Sequence, residues 1–375
     1  MTGKKLSVLH LTTHLNLGGI SSYLVILNAA LSRRGHRVAV LSSGGQKTED
    51  LENAGVSCFN FPIRTKSELH PKLFLSLAPI VSLLRKEPFD LLHAHTRVTQ
   101  VLAGWISRCT GLPYISTAHG FYKPHWGRRI FPCWGEHVIA VSDVVAKDLE
   151  KTHGIASVSI AVVNNALDIE DIKKRFESQD SKKNRLEYGI PDDAFVIGCV
   201  ARLVRDKGQE YLIEAARKLI PENLNVFLLI VGDGREKKNL EELVKKHALK
   251  DRVCFIPGVN DTTKVLSVID LFAHPATFRE GFGLSMAEAM VVKIPVVATA
   301  IPAIDTIFQN DRNAVLVPPK NAEALANAIL ALAKDTVRAK MIAGNGYILA
   351  SQLCQSDRQA EEMEKVYYDV IARRR

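Results

Sequence analysis

The chain has 375 residues, of which 47% are hydrophobic and 24% charged, a balance that excludes a disordered or fibrous chain and leaves room for about two ordinary domains. A formal net charge of +9, weighted toward the first half, raises nucleic-acid binding, but no DNA- or RNA-binding motif accompanies it and no nucleic-acid partner is expected. The six cysteines (Cys58, Cys109, Cys133, Cys199, Cys254 and Cys354) contain no C-x-x-C pair, so they read as reduced thiols and not as a zinc or redox centre.

The chain opens with Lys4-Lys5-Leu6-Ser7-Val8-Leu9-His10, lysines ahead of apolar residues in the manner of a secretion signal. His10, Thr12, Thr13 and His14 cut that apolar run short. No later stretch is long enough to cross a bilayer, so the expected location is the cytoplasm. Nearly continuous apolar runs at 6–11, 37–41, 90–94, 113–118 and 138–141 read as buried parallel strands, and a second set follows at 195–200, 226–231, 253–256, 271–273 and 296–299. Helical patterns at 22–34, 209–219 and 237–247 lie between such runs. Strand–helix alternation predicts βαβ units on a parallel sheet, and here the pattern occurs twice.

The charged stretch 168–185 has few large apolar residues and marks the expected boundary. The predicted organisation is therefore a Rossmann-like domain over 1–175, a second over 176–355, and a closing segment 356–375. Within that last segment, 359–371 predicts an amphipathic helix with Met363, Val366, Tyr367 and Val370 on one face.

Two segments carry the chemistry. In the first, Arg202 and Lys207 stand five residues apart, after the apolar run at 195–200 and before the helix at 209–219. Two cations at a strand end can converge on one diphosphate, Arg as a fork and Lys as a mobile point charge. Charge growing on a departing diphosphate needs such partners. In the second, Phe278-Arg279-Glu280-Gly281-Phe282-Gly283-Leu284-Ser285-Met286-Ala287-Glu288-Ala289-Met290, two carboxylates stand eight residues apart around a Gly-x-Gly turn that leads into a helix. The glycines admit close backbone approach and expose N–H donors at the helix start. Glu280 precedes that helix and Glu288 lies roughly 12 Å further along by helical rise, so a ligand spanning a nucleoside and a sugar could meet both.

Together these segments resemble glycosyltransferase family 4, the retaining family with the GT-B fold. That family carries G-R-L-x-x-x-K-G, here with Ala201 in the glycine position but with Arg202, Leu203, Lys207 and Gly208 in place. It also carries E-G-F-G-L-x-x-x-E-A, intact here at Glu280, Gly281, Phe282, Gly283, Leu284, Glu288 and Ala289. Further matches are Leu17-Gly18-Gly19-Ile20-Ser21 for the N-terminal glycine loop, Thr117-Ala118-His119-Gly120 for T-x-H-G, and Gly232-Asp233-Gly234 with Pro257-Gly258-Val259 for the segments lining the base. Asn164-Asn165-Ala166-Leu167-Asp168 is similar to the family's N-G-V-D with Ala166 in place of Gly, and Ala300-Ile301-Pro302-Ala303 lacks the acid of its G-x-P-E.

The resemblance implies two Rossmann-like domains whose parallel sheets face a cleft, with the C-terminal helix crossing back to the first domain. It implies a nucleotide-diphosphate sugar as donor, a UDP-sugar first and GDP-mannose second. Glu288 would accept from the ribose hydroxyls. Arg202 and Lys207 would hold the diphosphate, helped by the Gly18 and Gly19 N–H groups. Glu280 and the Gly281–Gly283 backbone would hold the sugar, and His119 would position it. A glycan or lipid-linked acceptor of the cell envelope is expected on the first domain, with retention at the anomeric carbon. The chain contains no D-x-D tripeptide, and two cations can replace a metal, so neither metal nor cofactor is expected. The aromatic and basic segment 121–131, which includes Phe121, Tyr122, Lys123, His125, Trp126, Arg128 and Arg129, is expected at the acceptor mouth or against an anionic membrane at its inner face. Three alternatives stay open: a sugar-nucleotide epimerase on the same fold, a non-catalytic sugar-nucleotide binding protein, and an NAD-dependent dehydrogenase. Against the dehydrogenase, Gly18-Gly19 lacks G-x-G-x-x-G spacing and 41–44 offers no acid for a ribose.

Overall fold

A computed structural model describes residues 4–16, 18–124, 126–222, 224–259, 261–278 and 280–374. Leu17, His125 and Arg279, which belong to three of the segments above, lie outside the described residues.

The chain divides into two compact units, one formed by 1–166 with 355–375 and the other by 167–354. The division falls ahead of the expected boundary at 175. Asp168, whose Oδ1 accepts from the Asp171 N–H, caps the helix Ile169–Glu177, and Ile172 of that helix is buried in the second unit's core. Ile169 and Phe176 of the same helix pack against that core as well, so its apolar face fixes its allegiance.

In the first unit, β1 (Ser7–Leu11), β2 (Arg37–Ser42), β3 (Ser57–Asn60), β4 (Leu91–Ala94), β5 (Tyr114–Ala118), β6 (Val138–Ala140) and β7 (Ile160–Val162) form a seven-stranded parallel sheet ordered 3-2-1-4-5-6-7. Alternate side chains of a strand point to opposite faces, and two core layers follow. Val8, Val38 and Val40 pack against Leu24, Leu27 and Leu31 of the helix Gly19–Arg33. Leu9, Ala39 and Leu41 pack on the other face against Leu73, Ile80, Leu102 and Ile106 from the helices Pro71–Lys86 and Arg97–Thr110.

The closing helix Ser356–Ala372 also belongs to this unit. Met363, Tyr367 and Val370 are buried in the layer shared with helix Gly19–Arg33. Glu364 accepts from Arg34 at 2.5 Å and meets His36 at 2.7 Å. The Arg34 hydrogen bond holds the Glu364 carboxyl below its ordinary range.

The second unit repeats the scheme with β8 (Phe195–Val200), β9 (Val226–Val231), β10 (Val253–Ile256), β11 (Leu271–His274), β12 (Val296–Thr299) and β13 (Val315–Val317), ordered 10-9-8-11-12-13. β9 is buried along its whole length, which explains its unbroken apolar sequence. Chain order reverses direction between β8 and β11. In open α/β sheets, ligands bind beyond the carboxyl ends of the strands at such a switch point. The loop after β8 carries Arg202 and Lys207, and the loop after β11 leads to Glu280.

Candidate active site

The two loops meet. Lys207 Nζ donates to Glu280 Oε2 at 2.5 Å, and the Thr277 N–H donates to the Asp206 carbonyl at 2.9 Å. Gly208 permits the approach: its φ is +66°, and a Cβ there would lie 2.0 Å from the Pro275 carbonyl oxygen. A side chain at 208 would push the Lys207 loop off the Glu280 loop.

Both carboxylate oxygens of Glu280 have partners. Its Oε1 accepts from the Gly281 N–H at 3.1 Å, and His274 Nε2 lies 3.1 Å from its Oε2. Burial alone would raise its pKa, but the His274 contact and the Lys207 charge outweigh burial and hold the carboxyl well below the usual range. Glu280 is thus a fixed anion and no proton donor at neutral pH. His274, the last residue of β11 and 3% exposed, is a site residue that sequence reading stopped one position short of. The signal was available, because the carboxyl end of a parallel strand beside a switch point is where ligands bind.

Glu288 lies in the helix Leu284–Val291 with separate partners. Thr262 Oγ1 donates to its Oε2 at 3.0 Å. Burial of its carboxylate pushes its pKa up to about 7, against the Thr262 hydrogen bond and the Arg175 charge. Thr262 was not singled out from sequence, since a lone threonine outside the motifs gives no signal. Phe282 is buried at 2% exposure among core residues that include Met286 and Ile304. Its side chain therefore serves the core and only its backbone can face a ligand. The Gly281 N–H, expected to be open for a ligand, is occupied by Glu280 in this structure. Gly283 is the N-cap of the Glu288 helix, and Leu284, its first residue, is half-buried.

Arg202 is exposed, and its side chain makes no ion pair among the described residues; its carbonyl accepts from Gln209 Nε2 at 3.0 Å. The segments expected at the base are joined, for Asp233 Oδ2 accepts from the Gly258 N–H at 2.9 Å, and Val259 follows half-buried. Gly232 and Gly234 press on the Arg202 loop: a Cβ would lie 2.0 Å from the Ala201 carbonyl oxygen at 232 and 2.1 Å from that of Leu203 at 234. These contacts gather the loops after β8, β9, β10 and β11 at one end of the sheet.

In the first unit, Gly18 and Gly19 are exposed at the start of the helix Gly19–Arg33. His119 directly follows β5, with its Nε2 3.2 Å from His95 Nδ1. Behind it lies a histidine cluster not anticipated from sequence. His10, His93 and His95 offer ring nitrogens within 4.8 Å of one another. Among these ring nitrogens only His10 Nε2 lacks a hydrogen bond to a described residue: His10 Nδ1 bonds His95 Nε2 at 2.9 Å, His95 Nδ1 meets His119, and His93 bonds Tyr367 and Thr117 at 2.8 and 2.7 Å. The cluster is therefore a hydrogen-bonded network. In the segment 121–131, Arg128 is buried, with its guanidinium 4.5 Å from the Tyr122 ring centroid and 4.3 Å from that of Trp134. Burial lowers its pKa to about 10, so this cation belongs to the fold and not to a basic surface.

The family model described as Glycosyltransferase Family 4 matches residues 17–171, and that described as Glycosyl transferases group 1 matches residues 180–348. The chain is 25% identical over 369 residues to an uncharacterised glycosyltransferase of Methanocaldococcus jannaschii, covering 94% of each. It is 26% identical over 314 residues to a UDP-Gal:alpha-D-GlcNAc-diphosphoundecaprenol alpha-1,3-galactosyltransferase of Escherichia coli, covering 80% of each. Among solved structures, Anabaena HepE in complex with UDP-glucose aligns with a TM-score of 0.83 at 25% identity, over 97% of this chain and 100% of that one. One matching model for each sheet, on a chain whose two motif loops meet at a switch point, makes this protein a member of glycosyltransferase family 4 with the GT-B fold.

Proposed function

We propose that this glycosyltransferase takes a UDP-sugar, with GDP-mannose second, and transfers the sugar with retention to a glycan or lipid-linked acceptor of the cell envelope. The observation that carries the reading is the 2.5 Å pair between Lys207 and Glu280, a cation suited to a pyrophosphate beside a fixed anion suited to a sugar hydroxyl. The UDP-glucose held by the HepE neighbour and the undecaprenol-linked acceptor named for the Escherichia coli relative support donor and acceptor class.

In this reading Lys207 and Arg202 stabilise the diphosphate as the anomeric C–O bond breaks and its electron pair stays on the phosphate oxygen. The acceptor oxygen bonds the anomeric carbon on the same face, and its proton passes to the departing phosphate. Glu280, tied by Lys207, His274 and Gly281, is suited to hold a sugar hydroxyl and poorly placed to act as a covalent nucleophile. Glu288 takes the ribose hydroxyls, and His119 takes the donor sugar. The two cations make a metal unnecessary for neutralising the leaving group.

A membrane-borne acceptor fits the surface around 121–131. Trp126 is 79% exposed, and Ile130 and Phe131 are 53% exposed. Arg97 donates to the Phe131 carbonyl at 2.6 Å and pairs with Glu68 at 3.1 Å, which brings exposed Leu69 into the same area. Exposed Lys66, Lys72, Lys123 and Arg129 accompany them, each worth about 1 kcal/mol beside anionic lipid.

A thermal-shift panel of nucleotide diphosphates and their sugars tests the donor. Binding to the native state raises the melting temperature by mass action. UDP and UDP-sugars should raise it most, and a panel in which only NADH or no nucleotide shifts it contradicts the reading.

A further inference from the structure

The geometry points to His10 and His95 as positioning residues that fix the tautomer of His119, so that His119 presents Nδ1–H to its ligand. This rests on the reading of His119 as a donor-sugar contact. The first unit contains a line of three imidazoles: His10 Nδ1 lies 2.9 Å from His95 Nε2, and His95 Nδ1 lies 3.2 Å from His119 Nε2. His10 and His95 are fully buried. Desolvation holds all three rings neutral at physiological pH, so each carries one proton and offers one donor and one acceptor. In such a line the polarity is a single choice. Reversing one ring reverses all three.

His10 Nε2 makes that choice, because it is buried and has no hydrogen-bond partner among the described residues. A buried N–H without an acceptor is the rarer and more costly orphan than an under-satisfied acceptor. The proton therefore sits on His10 Nδ1, which donates to His95 Nε2, and His95 Nδ1–H donates to His119 Nε2. His119 is left with its proton on Nδ1, which has no hydrogen bond to a described residue. His93 does not disturb the choice. Its partners, Tyr367 and Thr117, are hydroxyls that can donate or accept. Register explains the assembly: His10 on β1 pairs with His93 on β4 at the sheet's switch point, and His95 and His119 follow β4 and β5 on the same side.

The test is a long-range proton–nitrogen correlation spectrum of the full-length protein labelled with ¹⁵N-histidine, with resonances assigned by single-histidine substitution. Wild type should show His119 as the Nδ1–H tautomer. His10→Leu should release His95 and His119 into the more common Nε2–H form or into exchange, and should lower kcat about tenfold with the donor KM little changed. His10→Asn, which restores a donor near Nδ1, should recover most of both. An Nε2–H tautomer at His119 in wild type overturns the proposal without any variant having to fold, and so does an unchanged tautomer in folded His10→Leu. Full transfer activity in His119→Ala would instead remove the donor-contact reading while leaving the tautomer result to stand on its own.

Discussion

Lys207 Nζ and Glu280 Oε2 are 2.5 Å apart although 73 positions separate them in the chain. β8 and β11 are neighbours in the sheet and their loops leave at the same end, so two motifs distant in sequence become one electrostatic unit. His274 and this pair together hold Glu280 ionised, and the pair poises Lys207 beside the position proposed for the leaving group.

Lys207→Ala should lower kcat by a factor on the order of 10², about 3 kcal/mol, as loss of a preorganised transition-state donor does. Steady-state kinetics with the preferred donor measure it. Removing the cation also takes away part of what depresses the Glu280 pKa, so the acid limb of the pH–rate profile should move to higher pH. Wild-type turnover would take Lys207 out of the mechanism.

His274→Ala should weaken the hold on Glu280 and lower kcat/KM about tenfold. Because His274 and Lys207 meet the same oxygen, the double variant should lose less than the sum of the single losses, since residues sharing a partner are not additive. Additive losses would show that the two act independently.

Nucleotide binding should release a proton near pH 7. The Glu288 carboxyl is raised to about 7 by burial, and ribose hydroxyls donating to it favour the ionised form and lower that pKa. Calorimetric binding enthalpies should therefore vary with the ionisation enthalpy of the buffer, and Glu288→Gln should abolish the variation. The same shift bears on stability. Between an unfolded value of about 4.3 and the folded value, the native state binds more protons than the unfolded one, so stability falls as pH rises through that window. Glu288→Gln should raise the melting temperature at pH 8 more than at pH 5.

Trp126→Ser with Phe131→Ser should reduce cosedimentation with anionic phospholipid vesicles several-fold and leave the nucleotide-induced thermal shift intact. Both side chains are exposed and lie outside the Lys207–Glu280 site. Equal binding of wild type and variant to anionic and neutral vesicles would remove this surface from membrane contact.

How much of this was readable depends on burial. The interior strands were visible because parallel strands covered on both faces are continuously apolar. The strands missed, β3, β7 and β13, are all at sheet edges. Ser57–Asn60 and Ile160–Val162 are only partly buried, and Val315–Val317 is three residues long, so little apolar patterning marks them. The helix of 209–219 was readable to its ends, whereas Gly19–Arg33 begins three residues earlier than expected because glycine and isoleucine gave no start signal. At the site, Lys207, Glu280 and Glu288 were legible as motif residues. His274, Thr262 and the His10–His95 line were not, because their partners come from other strands and loops, and one sequence does not display pairing. Phe282 is legible as a motif residue inside the Gly281–Gly283 segment, but that its side chain belongs to the core emerges only from packing.

The central claim is that Arg202 and Lys207 neutralise a pyrophosphate while Glu280 and Glu288 hold the sugar and the ribose of the same molecule. The most direct measurement is a crystal structure of the protein with a non-hydrolysable UDP-sugar. The account predicts pyrophosphate oxygens within hydrogen-bond reach of both cations, ribose hydroxyls on Glu288 and a sugar hydroxyl on Glu280. A nucleotide bound elsewhere, with the Lys207–Glu280 pair undisturbed and unliganded, would contradict it.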